Sequence, residues 1–172
     1  METEKEIINR VSSSTLITFD LEEYYQPGDR VLIDIKDQLF QELILKEKDF
    51  REYIRTHDWS QYKNKFVAIH CSVDAVLPTW AYMLLTIALE PHAKRIIFGT
   101  LDDLEAQLFY EALSKVDWSI YKDAKVVIKG CSKVNVPVKA YVETSNKLRP
   151  LAASLMFGEP CSTVPLYKKP KS

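Results

Sequence analysis

A chain of 172 residues that is 47% hydrophobic can bury a sizeable core but is short for two ordinary domains. Its net charge near −1 gives no electrostatic basis for capturing nucleic acid or an anionic membrane, and Met1-Glu2-Thr3-Glu4-Lys5-Glu6 lacks the basic and apolar regions of a signal peptide. The most apolar stretch, Trp80 to Leu89, is about half a bilayer-spanning length. The expectation is therefore a cytoplasmic protein whose three cysteines serve as thiols or metal ligands.

Residues 1–14 are polar and form no predicted element. Leu16-Ile17-Thr18-Phe19 alternates as a short strand, and Pro27-Gly28-Asp29 signals a turn before a second strand, Val31 to Ile35. These two read as a hairpin or as neighbours beside the main sheet. Asp37 to Ile44 fits a helical face through Leu39, Phe40, Leu43 and Ile44, and Asp49 to His57 another through Phe50, Tyr53 and Ile54. The charges from Asp34 to Arg51 read as a solvated face.

Beyond residue 57 the chain repeats itself. Asp58-Trp59-Ser60-Gln61-Tyr62-Lys63 returns 59 residues later as Asp117-Trp118-Ser119-Ile120-Tyr121-Lys122. Val67 and Ile69 then map onto Val126 and Ile128, Pro78 onto Pro137, Ala81-Tyr82 onto Ala140-Tyr141, and Phe98-Gly99 onto Phe157-Gly158. Within repeats 58–99 and 117–158 the predicted order is strand (Phe66–Cys71; Lys125–Lys129), loop, helix from a proline (Pro78–Leu89; Pro137–Leu148), and strand (Arg95–Phe98; Ala152–Phe157). Strands apolar on both faces belong in a parallel sheet covered on each side. A linking helix follows Thr100, with an apolar stripe of Leu101, Leu104, Leu108, Ala112 and Leu113.

The expected fold is a single α/β domain over 1–172, a small three-layer parallel sheet built from a duplicated βαβ unit, with residues 1–57 as a strand and helix extension. The simplest arrangement sets the two cysteine-bearing strands side by side at the centre. Ligands in such sheets bind at the carboxyl ends of strands, where the strand order reverses.

Cys71-Ser72 recurs as Cys131-Ser132 at an offset of 60, and Cys161-Ser162 follows the last predicted strand. Three thiolates, with His70 or Asp74 as a possible fourth ligand, suit tetrahedral zinc or an iron–sulfur cluster. His70 follows the alternation to the opposite face from Cys71, and its repeat counterpart is Lys129. The alternative is a reactive thiol, its pKa depressed by Lys129 and the helix N-termini, in sulfur transfer or thiol exchange. No Gly-rich phosphate loop or nucleophile elbow is present. His57 and His92 read as surface residues, and Trp59 and Trp118 as packing lids.

The phrases Phe50-Arg51-Glu52, His57-Asp58-Trp59-Ser60, Pro78-Thr79-Trp80-Ala81-Tyr82 and Gly158-Glu159-Pro160-Cys161-Ser162-Thr163-Val164-Pro165 resemble an uncharacterised bacterial family over nearly the whole chain. The resemblance implies a gene context beside the sulfur-mobilising machinery of iron–sulfur cluster assembly, and carries over no functional residues. The leading expectation is an accessory protein holding a metal or cluster through Cys71, Cys131 and Cys161, with iron–sulfur assembly proteins as partners. The others are a thiol enzyme and a ligand-free interaction module.

Overall fold

The computed structural model describes residues 16–130, 133–159 and 161–170. Its elements in chain order are β1 (Leu16–Asp20), β2 (Arg30–Asp34), α1 (Glu47–Thr56), β3 (Phe66–His70), α2 (Thr79–Leu89), β4 (Arg95–Phe98), α3 (Leu101–Leu113), β5 (Lys125–Lys129), α4 (Val138–Leu148), β6 (Ser154–Glu159) and β7 (Ser162–Lys168). The fold is α/β, and its strands form two sheets. One has the order β2-β3-β4, all parallel; in the other, β1-β5-β6 is parallel and β7 adds to β6 antiparallel.

The two cysteine-bearing strands are therefore not neighbours. Each repeat builds its own sheet, with β3 or β5 at the centre, and β1 and β2 are not a hairpin. The reason lies in what a βαβ unit leaves unfinished. It pairs its central strand on one side only, with β4 or with β6, and that strand is apolar on both faces and needs a second parallel partner. The N-terminal segment supplies one strand to each: Ile33 lies opposite Ile69, and Phe19 opposite Ile128. Residues 26–108 make one compact unit, and the chain up to Tyr25 together with that from Phe109 onward makes the other, here the terminal unit.

The repeat extends to the backbone. Asp58 accepts hydrogen bonds from the Ser60 amide (3.0 Å) and hydroxyl (2.6 Å), and Asp117 accepts the same pair from Ser119 at the same lengths. Each begins a single 3₁₀ turn (Trp59–Tyr62 and Trp118–Tyr121). Asn64 and Asp123 then take φ of 61° and 56°, the left-handed region that these two residue types tolerate. The Asn64 amide donates to His92 O and that of Asp123 to Leu151 O, which ties each turn to the end of the following helix. Pro78 and Pro137 occupy the caps of α2 and α4 rather than their first turns.

Both faces of β3 are covered. Val67, Ile69 and Cys71 join the cluster under α1 and α2, while Phe66 and Ala68 pack with Leu104 and Leu108 of α3. In the terminal unit Val126 and Ile128 pack with Phe19, Leu21, Ala140 and Leu148. At roughly 1.5–3 kcal/mol for each fully buried large side chain, these clusters supply the main drive to fold.

Two further expectations are corrected. Asp37 to Ile44 is not a helix: Ile35–Gln38 is a 3₁₀ turn, and Phe40 bridges to Ile44 around Gln41 and Glu42, both at positive φ. Leu43 and Ile44 are exposed, so no buried surface rewards the helical pattern. The strand predicted to end at Phe157 is not the last, because Ser162–Lys168 forms β7, which Gly158 makes possible. At its φ of 118° a Cβ would stand 2.7 Å from Ser162 O.

Candidate functional site

The carboxyl edge of each sheet carries the same construction. In the 26–108 unit, Asp34 ends β2 opposite His70, which ends β3, with imidazole Nε2 3.6 Å from the carboxylate. The amides of Lys36 (3.0 Å) and Ser72 (3.1 Å) both donate to Asp34 Oδ1. Burial works to raise this carboxyl's pKa, but the hydrogen bonds from Ser72 and Lys36 and the His70 charge outweigh it and hold it below the usual range. In the terminal unit Asp20 ends β1 opposite Lys129, whose Nζ lies 3.0 Å from the carboxylate. The Asp20 hydrogen bond, then the charges of Asp20, Glu159 and Glu22, raise the Lys129 pKa. Asp20 and Asp34 each also cap a 3₁₀ turn. Asp34 thus has structural work that a solvated charged face does not describe. The sequence signal was available: Phe19-Asp20-Leu21 and Ile33-Asp34-Ile35 are two copies of strand, aspartate and turn.

Cys71 belongs to the 26–108 unit and Cys161 to the terminal unit. Cys71 is a half-buried free thiol, Sγ 3.5 Å from Val73 O, packed against the same apolar cluster as Leu77 and Tyr82. Burial, then the adjacent Cys71, push the Tyr82 phenol up. Cys161 is a free, exposed thiol in the turn joining β6 to β7. Cys131 lies outside the described residues. His70 is turned to Asp34 on the α3 face, away from the face that holds Cys71, and Asp74 is exposed in the loop after β3. Among the described residues no group of three or more His, Cys, Asp or Glu side chains is arranged to hold a metal ion.

His57 is not a plain surface residue. Its ring lies 4.6 Å from that of Trp59 and 5.0 Å from that of Tyr53, and Trp59 Nε1 donates to Ile54 O. The tryptophan is nearly buried and seals α1 onto the 3₁₀ turn. Burial, then the neighbouring Tyr62 and Asp37, push Tyr53 up to about 12.

A concave feature of the terminal unit lies between α4 and the strands β5, β6 and β7. A cleft of about 330 Å³ is lined by Ile128, Val138, Tyr141, Ser145, Phe157 and Leu166. Tyr141 stands edge-on to Phe157 at 5.8 Å, and the Ser145 hydroxyl donates to Tyr141 O at 2.8 Å. Gly130 admits Tyr141, since a Cβ there would meet the phenol oxygen at 2.7 Å. Cys131 follows 60 rather than 59 residues after Cys71 because of a one-residue insertion that includes this glycine.

Residues 5–169 match the family described as protein of unknown function DUF2480. The chain belongs to that family. No curated protein and no solved structure matches it. DUF2480 membership accords with the resemblance carried by Pro78-Thr79-Trp80 and the Cys161 segment, and it assigns no activity to any residue. No helix of the described chain is long and apolar enough to cross a membrane.

Proposed function

We propose that this DUF2480 protein is a binding module for a small aromatic molecule, taken up in the cleft between α4 and the β5-β6-β7 edge. The observation that carries this is the cleft itself: about 330 Å³, walled by Ile128, Val138, Phe157 and Leu166 between α4 and the sheet. An apolar cavity of about 150 Å³ suffices for benzene, so the cleft has room for a ring with one substituent. The Ser145 hydroxyl spends its proton on Tyr141 O and keeps lone pairs that can accept from an N–H or O–H on the ligand. Titration with indole and with phenol, followed by amide and methyl NMR, tests it. Saturable shifts at Ile128, Tyr141 and Phe157 that vanish in Ser145→Trp are expected. Absence of saturable shifts with both probes overturns the reading.

A second proposal retains the cysteines: zinc or an iron–sulfur cluster held by Cys71, Cys131 and Cys161, in an accessory role in cluster assembly, or a thiol-exchange enzyme. Its support is the thrice-repeated Cys-Ser dipeptide, with Cys71 and Cys161 both free thiols. Anaerobic purification with metal analysis decides it. Zinc or iron at about one site per chain, lost in Cys131→Ser, supports the metal version, and metal-free protein ends it. A single fast-reacting thiol supports exchange chemistry.

A further inference from the structure

In the terminal unit the outer edge of β6 is closed by β7, which pairs antiparallel so that Phe157 faces Val164 and Gly158 faces Thr163. In the 26–108 unit β4 occupies the position of β6, and among the described residues no strand pairs with its outer edge. The chain leaves β4 through Gly99 and Thr100 straight into α3, so the hairpin that closes β6 has no equivalent there.

The difference is visible at one repeated residue. Phe98 stands edge-on to Tyr82 at 5.2 Å, as Phe157 does to Tyr141 at 5.8 Å, yet Phe98 is 72% exposed and Phe157 40%. The helix beside the open edge is also different. Met83 and Ile87, four residues apart on one face of α2, are 58% and 66% exposed. Their counterparts on α4 are Val142 and the polar Asn146. From Thr79 to Leu89 α2 carries no charge, whereas α4 carries Lys139, Glu143 and Lys147. A strand edge with no neighbouring strand beside an uncharged apolar helix face is what an association surface requires; on this edge the Arg95 guanidinium donates to Ile96 O at 3.0 Å, a bond that strand pairing would replace.

We infer that β4 pairs antiparallel with β4 of a second copy of this chain about a twofold axis, so that the two three-stranded sheets continue as one. This goes beyond the cleft reading and does not depend on it. The antiparallel sense follows from β7, which closes the equivalent edge in that direction. The register follows from the two-residue period. Ile97 packs toward α3, with Phe66, Ala68, Leu104 and Leu108, while Ile96 and Phe98 are on the α2 face. Residues directly opposite in an antiparallel pair share a face. Setting Ile97 against its own copy therefore brings each Phe98 against the other copy's Ile96, on the side where Met83 and Ile87 stand exposed. A twofold contact sets a patch against itself, so a charged patch would be repelled, and Met83, Ile87 and Phe98 carry no charge.

Sedimentation velocity of the full chain over a concentration series tests this, together with hydrogen exchange at Ile96 and Phe98, whose amides point away from β3. The expected result is a concentration-dependent dimer in which these amides gain protection as dimer forms. Phe98→Asp and, separately, Met83→Glu should raise its dissociation constant by more than about tenfold while leaving the circular dichroism of the monomer unchanged. A monomer at every concentration overturns the inference, as does a dimer that survives Phe98→Asp. Protection of β4 in a monomer that is lost on deleting residues 1–14 would assign the edge to the chain's own N-terminal segment, and overturns it too.

Discussion

Asp34 and His70 stand opposite one another at the carboxyl ends of two parallel strands, with the imidazole 3.6 Å from the carboxylate and the Ser72 amide on the other oxygen. The bond ties the loop that carries Cys71 to a strand from the N-terminal segment. Asp34→Asn should cost about 1 kcal/mol near neutral pH, measured by urea unfolding. Because the folded carboxyl titrates below its unfolded value, its contribution is full above the unfolded pKa of about 3.9 and disappears as pH falls through the depressed folded value. The gap between wild type and variant should therefore close in strong acid. A gap independent of pH would show that the charge is not what stabilises.

Lys129 runs with the opposite sign. Its pKa is raised in the folded state, so its contribution is complete below the unfolded value of about 10.4 and is lost as pH rises through the folded value. Lys129→Met should be less stable than wild type near neutral pH and indistinguishable from it in strong alkali, by the same unfolding measurement.

Asp58→Ala and Asp117→Ala each remove a cap that accepts two hydrogen bonds from a serine two residues on. Both should lower the thermal midpoint, with the Asn variants retaining most of it. The pair shares no partner, so the double variant should show the sum of the two shifts.

Thr144 is fully buried in α4, and among the described residues its hydroxyl has no hydrogen-bond partner; the repeat places Leu85 at the same position. Thr144→Val keeps the shape and removes the stranded oxygen. It should stabilise the chain by about 1 kcal/mol, read from the urea midpoint at constant slope.

Gly158→Ala places a methyl against Ser162 O at a φ that L-residues rarely adopt. It should cost about 2 kcal/mol and expose the β7 amides to hydrogen exchange before the rest of the sheet.

The register of the repeat was readable along the chain because turn and strand preferences are local. Asp58-Trp59-Ser60 caps its own 3₁₀ turn, Phe66–Ile69 shows its two buried faces as an unbroken apolar run, and Gly99 marks the end of β4. For Asp20 and Asp34 the sequence shows the repeated strand, aspartate and turn but not the partner that each carboxylate takes. Those partners, Lys129 and His70, lie 109 and 36 residues downstream. The β7 strand was missed because Pro165 and a polar start disguise it. Proline is tolerated there because β7 is an edge strand.

The amino-acid sequence alone determined the α/β class, the duplicated βαβ unit and the equivalence of Tyr82 with Tyr141 and of Phe98 with Phe157, all consequences of period and local backbone preference. Only the tertiary structure decided that the repeats build separate sheets, that β1 and β2 part to complete one each, and that β7 covers Phe157 while Phe98 stands open. Strand pairing across long separations is settled by which apolar faces remain to be buried, and a one-dimensional pattern shows that a face needs covering without showing which segment covers it.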